Sequence, residues 1–238
     1  MGFDIIAGPA SNPEMAVRLE RAGASIVAIM PASLPRFGAS QPVDLPTAQV
    51  IGESIGTAKL CLILDGRQEI ANVDNCLAQL NPDYVALDVR QSEARRLLPL
   101  VRRTRADLIL FGIALDYDED PAWIADRLQA LMLEWSPKTI ALTLLPGLKS
   151  PIDWLRSAAG RHEEDVSIAD IEELLARFPI SINMELTEAD VAWASGRFAK
   201  AQGFALFAGE SLADGGCPVL EDAESLVRLV EASAMKPL

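Results

Sequence analysis

Two aspartates stand where apolar segments of this chain end, and an arginine follows each of them. Asp65 ends the run KLCLILD ahead of Arg67, and Asp88 ends the run YVALD ahead of Arg90. Carboxylates in such places can act as general acids and bases, and several together suit Mg²⁺ or Mn²⁺. An ordinary structural role is also open, because aspartate often begins a helix or pairs with a nearby arginine.

Other residues could bind an anionic ligand or transfer a proton. The planar guanidinium of Arg36 suits a carboxylate or a phosphate, although a salt bridge within a loop would also explain it. Glu185 is a candidate base just after a predicted strand, or an exposed residue. A glycine-rich loop before the last predicted helix could hold a phosphate through backbone amides, or be only a turn. The candidate substrate-binding residues are Arg36, Arg90, Asn183, Gly209, Ser211, Gly215 and Gly216.

The segment 58–98 shows which elements position these residues. Two apolar runs of strand length, 59–64 and 84–89, flank a segment whose apolar residues recur at helical spacing. Strands joined through a helix lie parallel, and parallel strands are covered on both faces, which explains their continuous hydrophobicity. The carboxyl ends of such strands carry the chemistry in α/β folds, so both aspartates are expected at the site.

The same rhythm of strand and helix runs through the whole chain. Eight such units in 238 residues predict a single (β/α)8 TIM barrel rather than an open, doubly wound sheet. The turn GPAS after the first strand is also not the GxGxxG that the open sheet would favour. One domain spans 1–238, with a polar insertion at 160–166 in the sixth unit. The predicted strands are 3–7, 25–30, 59–64, 84–89, 108–115, 139–145, 180–184 and 204–208, and the predicted helices include 47–55, 92–103, 168–178, 188–202 and 221–234.

Composition and charge narrow the range of partners. A net charge of −13 argues against nucleic acids and anionic membranes, because phosphate backbones and acidic lipids repel such a surface. A small anionic metabolite stays compatible, since a local site can oppose the global charge. Three cysteines without zinc-binding spacing, no signal peptide and no apolar run of ~20 residues predict a soluble cytoplasmic protein. A homodimer is left open.

The order of these segments resembles phosphoribosylanthranilate isomerase along nearly the full length. AGPASNPEMAVRLERAGASIVAIM is similar to that family's first unit, and ASLPRFGAS followed by TAQVIGESI is similar to its second loop and helix. LILDGRQEIANVDNCLAQLNPDYVALDV is similar to its third and fourth strands, and LTEADV and Gly209 fall where its phosphate-binding segments lie. The resemblance implies a ribulose-phosphate-binding type of barrel. It also matches Arg36 to an arginine that binds a substrate carboxylate.

Three positions depart from that family. Ala7 takes the place of its catalytic cysteine at the end of the first strand, and as a strand-ending residue Ala7 is expected to face the mouth of the barrel. Thr143 lies nearest the place of the family's general-acid aspartate. Met184-Glu185 replaces a glycine pair whose backbone amides approach a phosphate. The family's reaction needs a base and an acid on opposite sides of the sugar. That particular reaction is therefore not expected here.

These observations predict an isomerase or lyase that acts on a small phosphorylated or carboxylated metabolite. Asp65, Asp88 and Glu185 would be its acid and base groups. Two alternatives stay open: a non-catalytic barrel that serves as a binding or subunit protein, and a Mg²⁺- or Mn²⁺-dependent lyase or hydrolase of a small carboxylate. No other cofactor is expected. The lone His162 lies in the polar insertion, so Ser-His-Asp chemistry is not expected either.

Overall fold

The computed structural model describes residues 4–31, 42–116, 120–145, 167–183, 194, 198–207 and 223–234. Eight parallel strands in these ranges form one closed barrel, in which each strand pairs with its neighbours in sequence and the last pairs with the first. The predicted (β/α)8 barrel is confirmed, and the open sheet is wrong. The strands are β1 Asp4–Gly8, β2 Ile26–Ile29, β3 Lys59–Leu64, β4 Tyr84–Asp88, β5 Asp107–Asp116, β6 Thr139–Leu145, β7 Ile180–Asn183 and β8 Gly203–Phe207.

Helices cover the outside of this barrel, and polar side chains begin several of them. Asn12 accepts a hydrogen bond from the Met15 backbone N–H at 2.9 Å, and Ser167 and Asp170 form a reciprocal capping box. Most of the predicted helix 188–202 and the whole polar insertion 160–166 lie outside the described residues. The described α-helices are α1 Pro13–Ala22, α2 Leu45–Ser54, α3 Ile70–Leu80, α4 Leu98–Val101, α5 Pro121–Trp135, α6 Ile168–Arg177 and α7 Ala223–Ala234.

The fourth helical segment differs from its prediction as one regular helix over 92–103. It is a 3-10 helix over Ser92–Leu97 that continues into the single turn of α4. Pro99 explains the change, because it has no N–H to donate to the preceding turn. The four arginines of this segment are exposed, and each donates a hydrogen bond to a neighbouring part of the chain. Arg95 binds Glu134, Arg96 the Gln68 carbonyl, Arg102 the Glu134 carbonyl, and Arg103 Asp74.

The buried apolar side chains form two layers. The smaller cluster contains only strand residues at alternate positions, among them Ile6, Ile63 and Phe111, so it fills the interior of the barrel. The larger cluster joins the outward strand residues to the helices. Ala7 belongs to this outer layer and is fully buried there, which corrects the expectation that it faces the mouth.

Cys61 lies in the barrel interior, and this position settles its chemistry. Its side chain is fully buried, and desolvation raises the pKa of its thiol well above the usual range. A thiol of this kind is an inert apolar group rather than a nucleophile. Cys76 is also buried, on α3, whereas Cys217 lies outside the described residues.

Glu20 of α1 anchors the loop that leads into β3. Its carboxylate accepts backbone N–H bonds from Gly56 at 2.9 Å, from Thr57 and from Ala58 at 2.8 Å. These bonds, that from Ala58 first, lower the pKa of Glu20 from the ordinary 4.5 to about 2. Glu20 thus replaces water for three successive amides at the N-terminal face of the barrel.

Replacing Glu20 by glutamine should destabilise the protein at neutral pH. The carboxylate is solvent-accessible, so we expect a loss of only about 1 kcal/mol in the free energy of unfolding. Because the folded pKa is depressed, the wild-type advantage is complete above pH ~5 and disappears as the pH falls toward 2. Urea unfolding between pH 2.5 and 7 measures this. Glu14→Gln on the exposed first turn of α1 is the control, and equal stability of wild type and Glu20→Gln at pH 7 would contradict the anchor.

Candidate functional site at the carboxyl ends of the strands

The chain carries the same short sequence at the ends of two adjacent strands. LDGRQEIA begins at Leu64 and LDVRQSEA begins at Leu87, so both read Leu-Asp-x-Arg-Gln-x-x-Ala. Leu64 and Leu87 are also register partners between β3 and β4. The two copies therefore leave the sheet side by side at the barrel mouth.

Each copy folds into the same pair of an aspartate and an arginine. Asp65 accepts the Arg67 backbone N–H at 2.8 Å and the Arg67 Nε at 2.9 and 3.0 Å, and its Oδ2 also contacts Nη2. Asp88 accepts the Arg90 backbone N–H at 3.0 Å, Nε at 3.0 and 3.1 Å, and Nη2 at 2.7 Å. Two-point contacts of this kind fix the plane and direction of the guanidinium. The pairing that the sequence left open is thus present in both places.

The two members of each pair differ in their access to solvent. The Asp65 and Asp88 side chains are 0% and 2% exposed, whereas those of Arg67 and Arg90 are 54% and 29% exposed. The hydrogen bonds that Arg67 donates to Asp65 are the main reason why the pKa of Arg67 is raised, and the charge of Asp88 adds to the effect. A ligand that reaches this side of the mouth therefore meets arginine before it meets aspartate.

Glutamine side chains join the two turns into one unit. Gln91 of the second copy accepts the Gly66 N–H of the first at 3.0 Å, and Gln68 accepts the Asp65 N–H at 3.2 Å. A Cβ on Gly66 would lie 2.3 Å from the Ala94 backbone nitrogen, so this turn packs directly on the 3-10 helix. The two copies are therefore in direct contact, through the Gln91 hydrogen bond and through the packing of Gly66 on Ala94.

A bulge in β5 makes room for the second pair. The register between β5 and β6 shifts between Leu110 and Ile113, and Gly112 within this interval has a φ of +80°. A Cβ on Gly112 would lie 2.2 Å from Asp88 Oδ1 and 3.0 Å from Arg90 Nε. Glycine is needed here for its backbone conformation and for the space that the carboxylate occupies.

Two uncharged polar residues lie at the carboxyl ends of two other neighbouring strands, β6 and β7. Thr143 of β6 and Asn183 of β7 are register partners, and Asn183 Nδ2 donates to Thr143 Oγ1 at 3.2 Å. Both are buried, and both lie toward the carboxyl ends of their strands. Asn183, predicted as a binding residue, lies like Asp65 and Asp88 at the carboxyl end of its strand.

The remaining predicted site residues lie outside the described part of the chain. These are Arg36, Glu185, Gly209, Ser211, Gly215 and Gly216. Within the described ranges, no group of three His, Cys, Asp or Glu side chains could hold a metal ion. None of the helices in those ranges combines the length and hydrophobicity that crossing a bilayer requires.

Several solved structures have a fold similar to that of this chain. Comparison of the sequence with protein-family models and with curated proteins finds no match. Phosphoribosyl anthranilate isomerase from Thermococcus kodakaraensis is 18% identical, with a TM-score of 0.59 over 97% of this chain and 99% of its own. TrpF from Jonesia denitrificans is 13% identical, with a TM-score of 0.61 over 98% and 97%.

A further structure of similar fold is a phosphoribosyl anthranilate isomerase in complex with reduced 1-(o-carboxyphenylamino)-1-deoxyribulose 5-phosphate. It is 14% identical, with a TM-score of 0.57 over 98% of both chains. Identities this low establish the fold and leave the reaction open. The resemblance that the sequence predicted is confirmed at that level: the fold of this chain is similar to that of phosphoribosyl anthranilate isomerases over nearly its whole length.

Proposed function

We propose that this chain is an enzyme that binds a small anionic metabolite at the carboxyl ends of its strands and catalyses an isomerase or lyase reaction. The observation that carries this proposal is the pair of Asp–Arg contacts at the ends of β3 and β4. Each contact aims a guanidinium whose charge suits a carboxylate or a phosphate. The ligand named for the related barrel contains both groups, which supports the same class of ligand here.

The contacts suggest how roles are divided among the proposed site residues. Each oxygen of Asp65 and of Asp88 already accepts two hydrogen-bond contacts from arginine N–H groups, so a proton taken up by either carboxylate would compete with one of these contacts. We assign them the positioning of Arg67 and Arg90 first, and acid or base catalysis second. Glu185 is then the proposed base. Arg36 and Asn183, with Gly209, Ser211, Gly215 and Gly216 and their backbone amides, complete the proposed anion site.

The Asp–Arg contacts favour a non-catalytic binding protein over a metal-dependent enzyme as the alternative function. A barrel that binds an anion without catalysis is consistent with carboxylates that are held by arginine. A Mg²⁺- or Mn²⁺-dependent lyase or hydrolase would need its ion to compete with these arginines for the same oxygens. The binding protein is therefore the second candidate function, and turnover distinguishes it from the enzyme.

The first test is ligand binding by thermal shift. Phosphorylated and carboxylated metabolites are screened against the wild type, and any hit is repeated with Arg67→Ala and Arg177→Ala. Because a ligand of the folded state raises Tm, the rise should vanish in Arg67→Ala when it is measured from that variant's own Tm. Arg177 pairs only with Glu173 on the exposed surface of α6 among the ion pairs described, so Arg177→Ala should keep the rise. An undiminished rise in Arg67→Ala would exclude this side of the mouth.

The second test separates catalysis from binding. An isomerase or lyase that removes a carbon-bound proton incorporates deuterium from D2O, which NMR follows. Glu185→Gln should lower that rate by about 100-fold or more while keeping the ligand-induced rise in Tm. Hits that raise Tm and show neither deuterium exchange nor turnover in the wild type would establish the binding protein instead.

A further inference from the structure

A second charged recess lies at the opposite, N-terminal face of the barrel. It has a volume of about 390 Å³, which is within the range of small-molecule sites. Its walls are the end of the α4 turn, the residues that lead into β5 and the residues between α5 and β6. Its polar and charged lining residues are Arg102, Thr104, Arg105, Asp107, Ser136 and Lys138. We call this recess the basal groove.

The basal groove is positively charged in a protein whose net charge is −13. Arg102, Arg105 and Lys138 line it together with a single carboxylate, that of Asp107. Arg105 and Lys138 form no ion pair with any other described residue, and both side chains are exposed. The local excess of about two positive charges is therefore open to a ligand.

Of the three cationic side chains, only Arg102 has a structural role in the contacts described, which is to stabilise the end of α5. Arg102 Nη2 donates to the Glu134 carbonyl at 3.0 Å, which satisfies an acceptor in the last turn of α5. The Glu134 carboxylate is already bound by Arg95 at 2.7 Å. Arg105 and Lys138 take no part in either contact.

A neighbouring recess on the same face provides an internal comparison. It lies between α2 and α3, has a volume of about 350 Å³, and is lined by Glu53 and Asp83 with no lysine or arginine. Asp83 also pairs with Lys59 at 3.3 Å, so this second recess, although similar in size, has no excess of positive charge among its lining residues. The two recesses therefore differ in the charge of their lining side chains and not in size, and only the charge of the basal groove suits an anion.

We propose that the basal groove binds a small oxyanion of the phosphate class with two or more negative charges. Arg105 and Lys138 would supply most of the attraction, and Arg102 is held beside them by α5. The hydroxyls of Thr104 and Ser136 line the same space. This site is separate from the mouth of the barrel, and it does not depend on the function proposed above.

The test uses inorganic pyrophosphate as the probe and isothermal titration calorimetry on the full chain. The wild type should bind with a dissociation constant on the order of 1 mM or tighter, and more weakly as NaCl is added. Arg105→Glu combined with Lys138→Glu should weaken binding about tenfold or more. Arg177→Glu reverses the charge of one arginine elsewhere on the surface. It should leave the dissociation constant for pyrophosphate within about twofold of the wild-type value.

Arg67→Ala distinguishes the basal groove from the mouth. Pyrophosphate binding that survives Arg67→Ala and is lost in the double variant supports the proposal. Binding that is lost in Arg67→Ala and kept in the double variant would place the probe at the mouth and overturn it. If pyrophosphate at about 20 mM, 20-fold above the expected dissociation constant, does not bind to the wild type, the proposal is also overturned. Circular dichroism confirms that each variant is folded.

Discussion

Arg90→Met should lower the free energy of unfolding by about 2 to 4 kcal/mol. Methionine keeps much of the packing of the arginine stem but removes the guanidinium, which leaves the Asp88 carboxylate buried without its partner. Breaking a fully buried pair in this way costs about 3 to 5 kcal/mol, and the partial exposure of Arg90 reduces that figure. Guanidinium chloride unfolding at pH 7 measures the change.

A double-mutant cycle shows whether this loss belongs to the pair. Asp88→Leu combined with Arg90→Met removes both charges, so we expect the double variant to be less destabilised than the sum of the single changes by about 1 kcal/mol or more. Arg177→Met tests an exposed arginine on α6 and should change stability by less than about 0.5 kcal/mol. A loss below about 1 kcal/mol in Arg90→Met would mean that the pair is not a structural support of the mouth.

Gly112→Ala should cost at least as much, about 2 to 4 kcal/mol, although it adds only a methyl group. The position has a φ of +80°, which strains any residue with a Cβ by about 1 to 3 kcal/mol. The new Cβ would also displace the Asp88 carboxylate, from which it would be 2.2 Å away. Chemical unfolding measures the total, and a ligand found by thermal shift would also bind more weakly because Arg90 moves with Asp88.

Gly56→Ala is the matched control for this prediction. A Cβ at Gly56 would stay 3.8 Å from the nearest side-chain atom, and its backbone does not have a positive φ. The change keeps the N–H that donates to Glu20, so stability should shift by about 0.5 kcal/mol or less. If both alanine variants are equally stable, the bulge tolerates a side chain and the proposed tight fit to Asp88 is wrong.

Each described strand could be predicted to within one residue at either end, because a parallel barrel buries its strands on both faces. Such strands are almost continuous apolar runs, and β3 and β6 have the predicted bounds. The 3-10 segment was missed, since apolar spacing does not distinguish a 3-10 helix from an α-helix. Pro99 was the available signal, because it removes a hydrogen bond that an α-helix would use. Gly112 within the run LILFGIALD was a similar signal for the bulge.

The candidate site was predicted less completely. Asp65 and Asp88 were found because they end apolar runs, but the repeated Leu-Asp-x-Arg-Gln-x-x-Ala was overlooked, and comparison of the chain with itself reveals it. Ala7 was expected at the mouth because it lies near the end of its strand. Neighbouring residues of a strand face opposite sides, and here Ile6 takes the inner side. The position of a residue near the end of a strand therefore predicts its height in the barrel. It does not predict whether the side chain faces the barrel interior or the surrounding helices.

The pairing of β1 with β8 has a consequence for how this chain reaches its native state. Asp4 pairs with Gly203, so partners that touch in the sheet are 199 residues apart along the polypeptide. Contacts between such distant residues are entropically costly to form and make folding slow. A Cβ on Gly203 would lie 1.7 Å from the Asp4 carbonyl oxygen, which shows how closely the two strands approach. Until that junction closes, both strands present unpaired edges, and aggregation competes with folding at this place in the ring.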